Sequence, residues 1–369
     1  MFEGLFYGSF YLCSFVLVLS LIVFIHEGGH FMMARWCGVH VTDFSIGFGK
    51  ELFSWMDKKG TKWKICLIPL GGYVKMLGDT DAASATSSVK ELTEEQKKKA
   101  FLTQKLWKRA LIIFAGPAMN YISAIILLAG IFFWHGDTKL LPVIGSVLPD
   151  SPAAEAGLQA GDRFVMINNQ KVEEFSDVVR ITRLTAFEQP LDIVFDRNGV
   201  THHLTLKPRY LEGHKYPMIG FSASTKYMEP VEGLGLGESV VKSVSTIWKM
   251  STDTLIYLGQ VLFDNRSAED MRGPLGIAEM SGDAIKNGLF SLLMFVVQIS
   301  VAVGFMNLLP IPLLDGGHLA FYAVEAVIGR PLPERAQNAF LVAGLSVLLL
   351  LLAYTMVVDV QHIMQRIFG

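Results

Sequence analysis

His26, Glu27, Gly28, Gly29 and His30 form an H-E-x-x-H pattern. On a helix, residues four apart share a face, so the two imidazoles can grip one metal ion while Glu27 stands beside it. The chemistry implied is hydrolysis by a metal-activated water. The setting is unusual for such chemistry. Residues 16–25 read VLVLSLIVFI, and Phe31, Met32 and Met33 follow the second histidine, so these ionisable groups lie within or beside hydrocarbon. Burying them there is costly, which marks them as functional candidates.

Several elements must hold that cluster in place. A chain of 369 residues with 51% hydrophobic and 18% charged content is too apolar for an ordinary soluble protein, and long enough for several membrane spans plus one folded domain. The formal net charge of −2 leaves no basic surplus for nucleic acid, which is excluded as a partner. Cys13, Cys37 and Cys66 are isolated and lack C-x-x-C spacing, which fits unpaired apolar packing. The first apolar stretch has no basic leader and no clear small-residue cleavage site, so it is expected to be retained as a span. Further spans are expected near residues 110–134, 290–309 and 340–358, giving four.

Charge sets their direction. Arg35 and Lys50 follow the first span, and Lys97, Lys98, Lys99, Lys105, Lys108 and Arg109 precede the second. The positive-inside rule makes that connection cytoplasmic, with the N-terminus and the segment after Trp134 outside. Spans one and three then run the same way. The residues closing span three, NLLPIPLLDGGH at 307–318, therefore approach the membrane face that the histidines approach. Residues 239–262 carry apolar side chains at helical spacing, interrupted by Lys242, Lys249 and Asp253. An amphipathic helix at the outer interface is expected there rather than a fifth span, which would put Asp315 on the wrong side.

Catalytic zinc usually takes three protein ligands and leaves a fourth position to water; His26, His30 and Asp315 supply such a set. Zinc lowers the pKa of its water from about 15.7 toward roughly 7. Glu27 is placed to take that proton and return it to a leaving amine. Pro310 and Pro312 disfavour a continuing helix, and Gly316-Gly317 permits a tight turn, so Asp315 is expected on irregular backbone, with a helix N-cap as the plainer alternative. With that set complete, His318 is expected to be structural.

Residues 63–77, WKICLIPLGGYVKML, place two strand-like runs around Gly71-Gly72, a hairpin signal. Its edge, with Gly71, Gly72 and Tyr73, is a candidate to receive an unwound substrate as an added strand. The plainer alternative is a small β-element without a binding role. Residues 82–99 have little to bury and are expected to form a mobile cytoplasmic loop. Between about residues 140 and 224 the composition turns soluble. Val143 to Val147, the small-residue run from Ser151, the Gly161-Asp162 turn and Phe164 to Asn168 resemble a circularly permuted bacterial PDZ domain. Gly220 and Phe221, within Met218-Ile219-Gly220-Phe221, are candidates for its carboxylate-binding loop, either to capture a cut chain end or within a domain that only filters by size. Gly116, Pro117 and Asn120, within residues 114–120, offer small residues and one amide at the entry of span two, for close helix packing or for support of a zinc-ligand helix.

HEGGHF, RWCGVHVTDFSIGFGK, LIPLGGYVKM, FAGPAMN, RGPLGIA and NLLPIPLLDGGH occur in that order over nearly the whole chain. Together they resemble the site-two protease family of intramembrane zinc metalloproteases, in its bacterial regulator-of-sigma-E protease branch. The resemblance implies His26, His30 and Asp315 as Zn²⁺ ligands, Glu27 as base, and Asn307 as a group holding substrate backbone or the developing oxyanion. It implies an α-helical integral membrane protein of four transmembrane helices with a membrane-associated β-hairpin and one inserted α+β PDZ-like domain. Best-known members of the branch carry two PDZ domains, where this chain has room for one. The expected division is a membrane part at 1–136, a PDZ-like domain at 137–226 outside the cytoplasmic membrane, a linker with the interfacial helix at 227–286, and a second membrane part at 287–369. The expected substrate is a single-pass membrane protein in the bacterial inner membrane, such as an anti-sigma factor or a remnant signal peptide, cut near its span after a first outer-side cut. The oligomeric state is left open. Two rivals are a PDZ-bearing membrane scaffold with a structural metal, which would want a fourth protein ligand, and a metal transporter, for which the other spans offer few acidic or histidine residues.

Overall fold

The computed structural model describes residues 2–79, 92–185, 189–210, 217–231, 233–263, 273–330 and 333–368. In chain order come α1 (Phe2–Trp36), β1 (Val41–Met56), β2 (Lys62–Met76), α2 (Glu94–Lys98) and α3 (Leu106–His135). Next are β3 (Asp137–Leu140), β4 (Ile144–Val147), α4 (Pro152–Glu155), β5 (Arg163–Ile167), β6 (Gln170–Lys171), α5 (Phe175–Leu184), β7 (Leu191–Arg197) and β8 (Val200–Leu206). Then follow β9 (Arg209–Tyr210), β10 (Pro217–Met218), β11 (Phe221–Ala223), β12 (Met228–Val231) and α6 (Leu236–Phe263). The chain ends with α7 (Pro274–Lys286), α8 (Leu289–Leu308), α9 (Asp315–Ile328) and α10 (Glu334–Phe368). They form two compact units, residues 1–128 with 269–369, and residues 129–268.

Four helices are long and apolar enough to cross a membrane among the described residues: Ser9–Trp36, Leu106–His135, Leu289–Leu308 and Ala339–Gln361. They fall where the four expected spans fall, and α6 is not among them. In the first unit α1 is the central element. Its middle packs Val18 and Ile22 against Ala284 of α7 and Phe295 and Val296 of α8. Its C-terminal end packs Phe31 and Ala34 with Phe44, Met76, Phe101 and Ile112. Helix α7 occupies sequence expected to be linker. It belongs here because Gly282 lies so close to the Tyr11 ring that a Cβ would sit 2.0 Å from Cδ1. At its start, Asp359 of α10 accepts the backbone N–H groups of Gly273, Leu275 and Gly276 at 3.0 Å each. Those amides are the free donors that open a helix, and a buried carboxylate meets them.

The sheet corrects one expectation. Residues 63–77 are not a self-contained hairpin about Gly71-Gly72. Strand β2 pairs with β1, which the motif reading left out, and the tight connection is at residues 57–61. Both strands bend, so Phe44 lies opposite both Val74 and Trp63, while Trp55 faces Trp63 from the other side. Asp57 closes the connection: its carboxylate takes the amides of Lys59 and Thr61, the Trp63 indole N–H and the Arg35 guanidinium at the end of α1. Burial pushes the Asp57 carboxyl upward, but the Thr61 amide and Arg35 outweigh it and hold it well below the usual carboxylate range. Leu52, Phe53, Trp55, Met56, Leu67 and Ile68 leave a broad apolar surface exposed on this sheet. Of residues 82–99, those from 82 to 91 lie outside the described residues. The remainder holds α2, started by a capping box between Thr93 and Gln96.

The second unit, where the PDZ-like domain is expected, is an α+β fold with a four-stranded antiparallel sheet in the order β6-β5-β7-β8. Its core gathers Ile144, Ala153, Phe164, Ile167, Val178, Leu191, Ile193 and Phe195. The Ser151 hydroxyl caps α4, and the buried Asp162 carboxylate pairs with Arg197 at 2.7 Å. Helix α6 is tied to α5 by Arg180 and Asp253 at 3.3 Å, and leaves Val241, Val244, Trp248 and Leu255 exposed along one stripe.

Candidate metal centre

A single helix carries both histidines. His26 lies ten residues before the end of α1 at Trp36, about 15 Å along the axis, so the site is deep within the span. The His26 and His30 rings are 4.9 Å apart between centroids and both are buried. The third group arrives from the far end of the sequence. Span α8 stops at Leu309, as expected from Pro310 and Pro312, and the chain reverses through Leu313 into α9.

That reversal differs from the expected one. Asp315 is the first residue of α9 rather than part of an irregular stretch, and the backbone turns at Leu313, whose φ is +73°. A non-glycine residue there stores strain, of order 1–3 kcal/mol. Gly316 and Gly317 serve closeness instead: a Cβ on Gly316 would lie 2.1 Å from the Leu309 carbonyl oxygen, and one on Gly317 would lie 2.5 Å from that of Ile311. The preceding loop therefore folds down onto the first turn of α9 and fixes the direction of the Asp315 carboxylate.

Asp315 Oδ2 lies 3.1 Å from His26 Nε2 and 3.4 Å from His30 Nε2, and the two Nε2 atoms are 3.3 Å apart. Metal bonds of about 2.0–2.1 Å at tetrahedral angles separate ligand atoms by roughly 3.3 Å, so this triangle is one face of a zinc tetrahedron. Asp315 Oδ2 is buried, with only the two imidazole Nε2 atoms in reach and no well-aligned hydrogen bond, a setting that a cation would satisfy. The donor set of two imidazoles and a carboxylate suits zinc, and these three form the metal-competent cluster among the described residues. Glu27 is outside that triangle. Strand β2 crosses it at Gly72, where a Cβ would lie 3.3 Å from Glu27 Cγ and 2.8 Å from Val23 Cγ1, and the Val74 backbone amide faces its carboxylate.

Helix α3 lies behind the histidines. The Ile112 carbonyl is 2.9 Å from His30 Nδ1, and the Asn120 side chain is 3.2 Å from His26 Nδ1. Between them, Gly116 leaves the room that the His30 ring fills, since a Cβ there would be 2.2 Å from Nε2. Gly29 meets the same helix, 2.2 Å from the Ala115 carbonyl oxygen by the same measure. Residues 114–120 hinted at small-residue packing, but the specific fit of Gly116 to an imidazole depends on tertiary contact that no local pattern carries.

Of the other candidates, Gly71 and Tyr73 flank Gly72, with Tyr73 stacked on Phe48 at 6.0 Å. The Asn307 side-chain N–H donates to the Val303 carbonyl one turn back in α8, at 3.1 Å. Gly220 and Phe221 belong to the second unit. The Gly220 carbonyl accepts the Leu148 amide and the Ser151 hydroxyl, and Phe221 packs on Phe164 and Phe175.

Residues 14–351 match the model of peptidase family M50. A Rhizobium meliloti protein provisionally named a zinc metalloprotease is 39% identical over 351 residues, covering 92% of this chain and 94% of its own. Metalloprotease MmpA of Caulobacter vibrioides is 36% identical over 370 residues, covering 92% of each chain. A PDZ domain of an SdrC-like protein from Listeria monocytogenes is 19% identical over 23% of this chain and 87% of its own, with a TM-score of 0.21. That last likeness is too slight to carry an argument. The chain belongs to peptidase family M50, the site-two protease family. It is an intramembrane zinc metalloprotease embedded in the lipid bilayer, which sets aside both the scaffold with a structural metal and the transporter.

Proposed function

We propose that this chain cleaves a single-pass membrane protein within or near its transmembrane segment, with His26, His30 and Asp315 holding zinc and Glu27 as the general base. The observation that carries the site assignment is the triangle of ligand atoms 3.1–3.4 Å on a side, drawn from two stretches nearly three hundred residues apart. Bound zinc supplies Lewis acidity, bringing the pKa of water toward roughly 7. Glu27, next to a ligand and facing the Val74 amide, takes the water proton and passes it to the departing amine. Burial among α1, α3 and β2 excludes bulk solvent and strengthens each electrostatic contact.

The substrate backbone must be extended before it is cut. The sheet segment through Gly71, Gly72 and Tyr73 runs beside Glu27, and in this proposal it receives the unwound chain as an added strand. Asn307 exchanges its bond to Val303 for the substrate backbone or the oxyanion. The PDZ-like unit, with Gly220 and Phe221 at its peptide-binding loop, lies outside the cytoplasmic membrane and restricts access to substrates shortened by an earlier outer-side cut. Anti-sigma factors and remnant signal peptides have this form, and the bacterial inner membrane is where they would be met. The exposed stripe of Val241, Val244, Trp248 and Leu255 on α6 would rest at the outer membrane interface.

The test is co-expression of the chain, or its Glu27→Gln variant, with candidate single-span proteins. Fragments should appear with the native chain only, while the variant keeps its zinc. Undiminished cleavage by Glu27→Gln removes the base assignment, and loss of zinc with it assigns Glu27 to the metal instead.

A further inference from the structure

We propose that Asn120 is a positioning residue for His26: in the zinc-loaded protein its side-chain carbonyl oxygen accepts the Nδ1–H of His26 and so fixes the tautomer whose Nε2 faces the metal. This rests on the assignment of His26 and His30 as ligands.

A histidine that binds metal through Nε2 must carry its proton on Nδ1, and that proton needs an acceptor. For His30 the acceptor is the Ile112 carbonyl, 2.9 Å from Nδ1. A carbonyl oxygen only accepts, so His30 is held with Nε2 free for the metal. His26 also directs Nε2 to the centre and Nδ1 to α3, and what it meets there is Asn120. Ile112, Gly116 and Asn120 are spaced by four, one stripe of α3, and together they seat both imidazoles.

Asn120 is fully buried, with Nδ2 placed 3.2 Å from His26 Nδ1 and Oδ1 lacking any hydrogen-bond partner. In that orientation the amide donates to Nδ1, so the imidazole proton sits on Nε2, beside Asp315 Oδ2 at 3.1 Å. A half-turn of the amide exchanges oxygen and nitrogen with almost no change of shape. It turns the orphan Oδ1 toward Nδ1, moves the imidazole proton there, and frees Nε2.

The backbone under this amide is fixed from two helices. The Asn120 carbonyl accepts the hydroxyls of Ser123, at 2.9 Å, and of Ser300 in α8, at 3.0 Å. Gly304 admits α8 closely, since a Cβ there would lie 3.2 Å from Asn120 Cβ. Span α8 is the helix that leads to Asp315, so the group orienting one ligand is anchored on the helix that delivers another.

The experiment measures zinc affinity by chelator competition in detergent-solubilised full-length protein, together with the visible spectrum of the cobalt-substituted form. Asn120→Leu keeps the volume and removes the acceptor; Asn120→Asp keeps the acceptor. The proposal expects zinc affinity about 10–100-fold weaker in Asn120→Leu, with a changed cobalt spectrum, and affinity near the native value in Asn120→Asp. Native affinity and spectrum in Asn120→Leu would assign the residue to packing alone and overturn the proposal. Should Asn120→Leu fail to fold, Asn120→Asp decides, because affinity at least tenfold below native in that variant also overturns it. A native chain that binds no zinc would instead contradict the ligand assignment on which this rests.

Discussion

Gly116→Ala adds a single methyl group at the most crowded point behind the metal site. The new Cβ would lie 2.2 Å from His30 Nε2 and 2.4 Å from Cε1, about 1.2 Å short of ordinary contact at 3.4 Å. The imidazole cannot retreat without breaking its bond to the Ile112 carbonyl, and α3 cannot retreat without opening the close contact in which Gly29 seats the Ala115 carbonyl against α1. A metal site tolerates ligand displacements of about 0.2 Å, several times less than the shift demanded. Overpacking of this kind costs about 1–3 kcal/mol in stability, which a chain of this size can survive, so the loss should fall on the metal. The assay is zinc content by atomic emission after purification, beside turnover of a model membrane substrate. Gly28→Ala is the control, because its Cβ would meet nothing within 4 Å. We expect Gly28→Ala to keep full zinc and near-native turnover, and Gly116→Ala to lose at least tenfold in zinc affinity and all measurable turnover. Full zinc and turnover within twofold of native in Gly116→Ala would refute the packing of His30 against α3.

Asp359→Ala leaves the amides of Gly273, Leu275 and Gly276 without their acceptor, and hydrogen bonds to a charged group are worth about 1.5–3 kcal/mol. The thermal midpoint in detergent should fall by several degrees with zinc retained; a midpoint within a degree of native would deny the clasp between α7 and α10. Gly29→Ala should prevent α1 and α3 from closing, so native yield and protease resistance should both collapse, and normal yield would contradict the contact. Because the Asp57 carboxyl is held below its unfolded value, its contribution to stability is present above the ordinary carboxylate range and is lost as pH falls through the depressed folded value. Asp57→Asn should therefore flatten the acid limb of stability measured from pH 5 downward, and an unchanged limb would discount the carboxylate.

The pieces legible in the sequence are those with a short-range signature. The spans follow from apolar runs, the two histidines from their spacing on one helix turn, and Asp315 from the parity of α1 and α8. The glycines were the poorer guide. Gly71-Gly72 resembles a hairpin turn by local rules, yet Gly72 is small because the Ser45 carbonyl of β1 and the side chains of Val23 and Glu27 press on it, and the true connection is closed by Asp57. Gly316-Gly317 resembles a turn as well, but the reversal occurs at Leu313 and the glycines admit the carbonyls of Leu309 and Ile311. In both places the residue answers to a tertiary neighbour whose identity lies far away in sequence. The doubled pairing of Phe44 with Val74 and Trp63 is hidden for the same reason, since register is set by the packed partner. Asn120 and Asp359 are buried polar residues within the apolar stretches of α3 and α10. Composition marks such residues as costly, and only the fold names what each one holds.

In the proposed site, two imidazoles of α1 and one carboxylate of α9 surround a single zinc ion. X-ray absorption at the zinc edge of the purified Glu27→Gln protein tests it most directly. About one zinc per chain is expected, with two histidine nitrogens and further oxygen ligands at about 2.0–2.1 Å, and loss of that signal in Asp315→Ala. Sulfur scattering at about 2.3 Å, or an unchanged shell after Asp315→Ala, would contradict it.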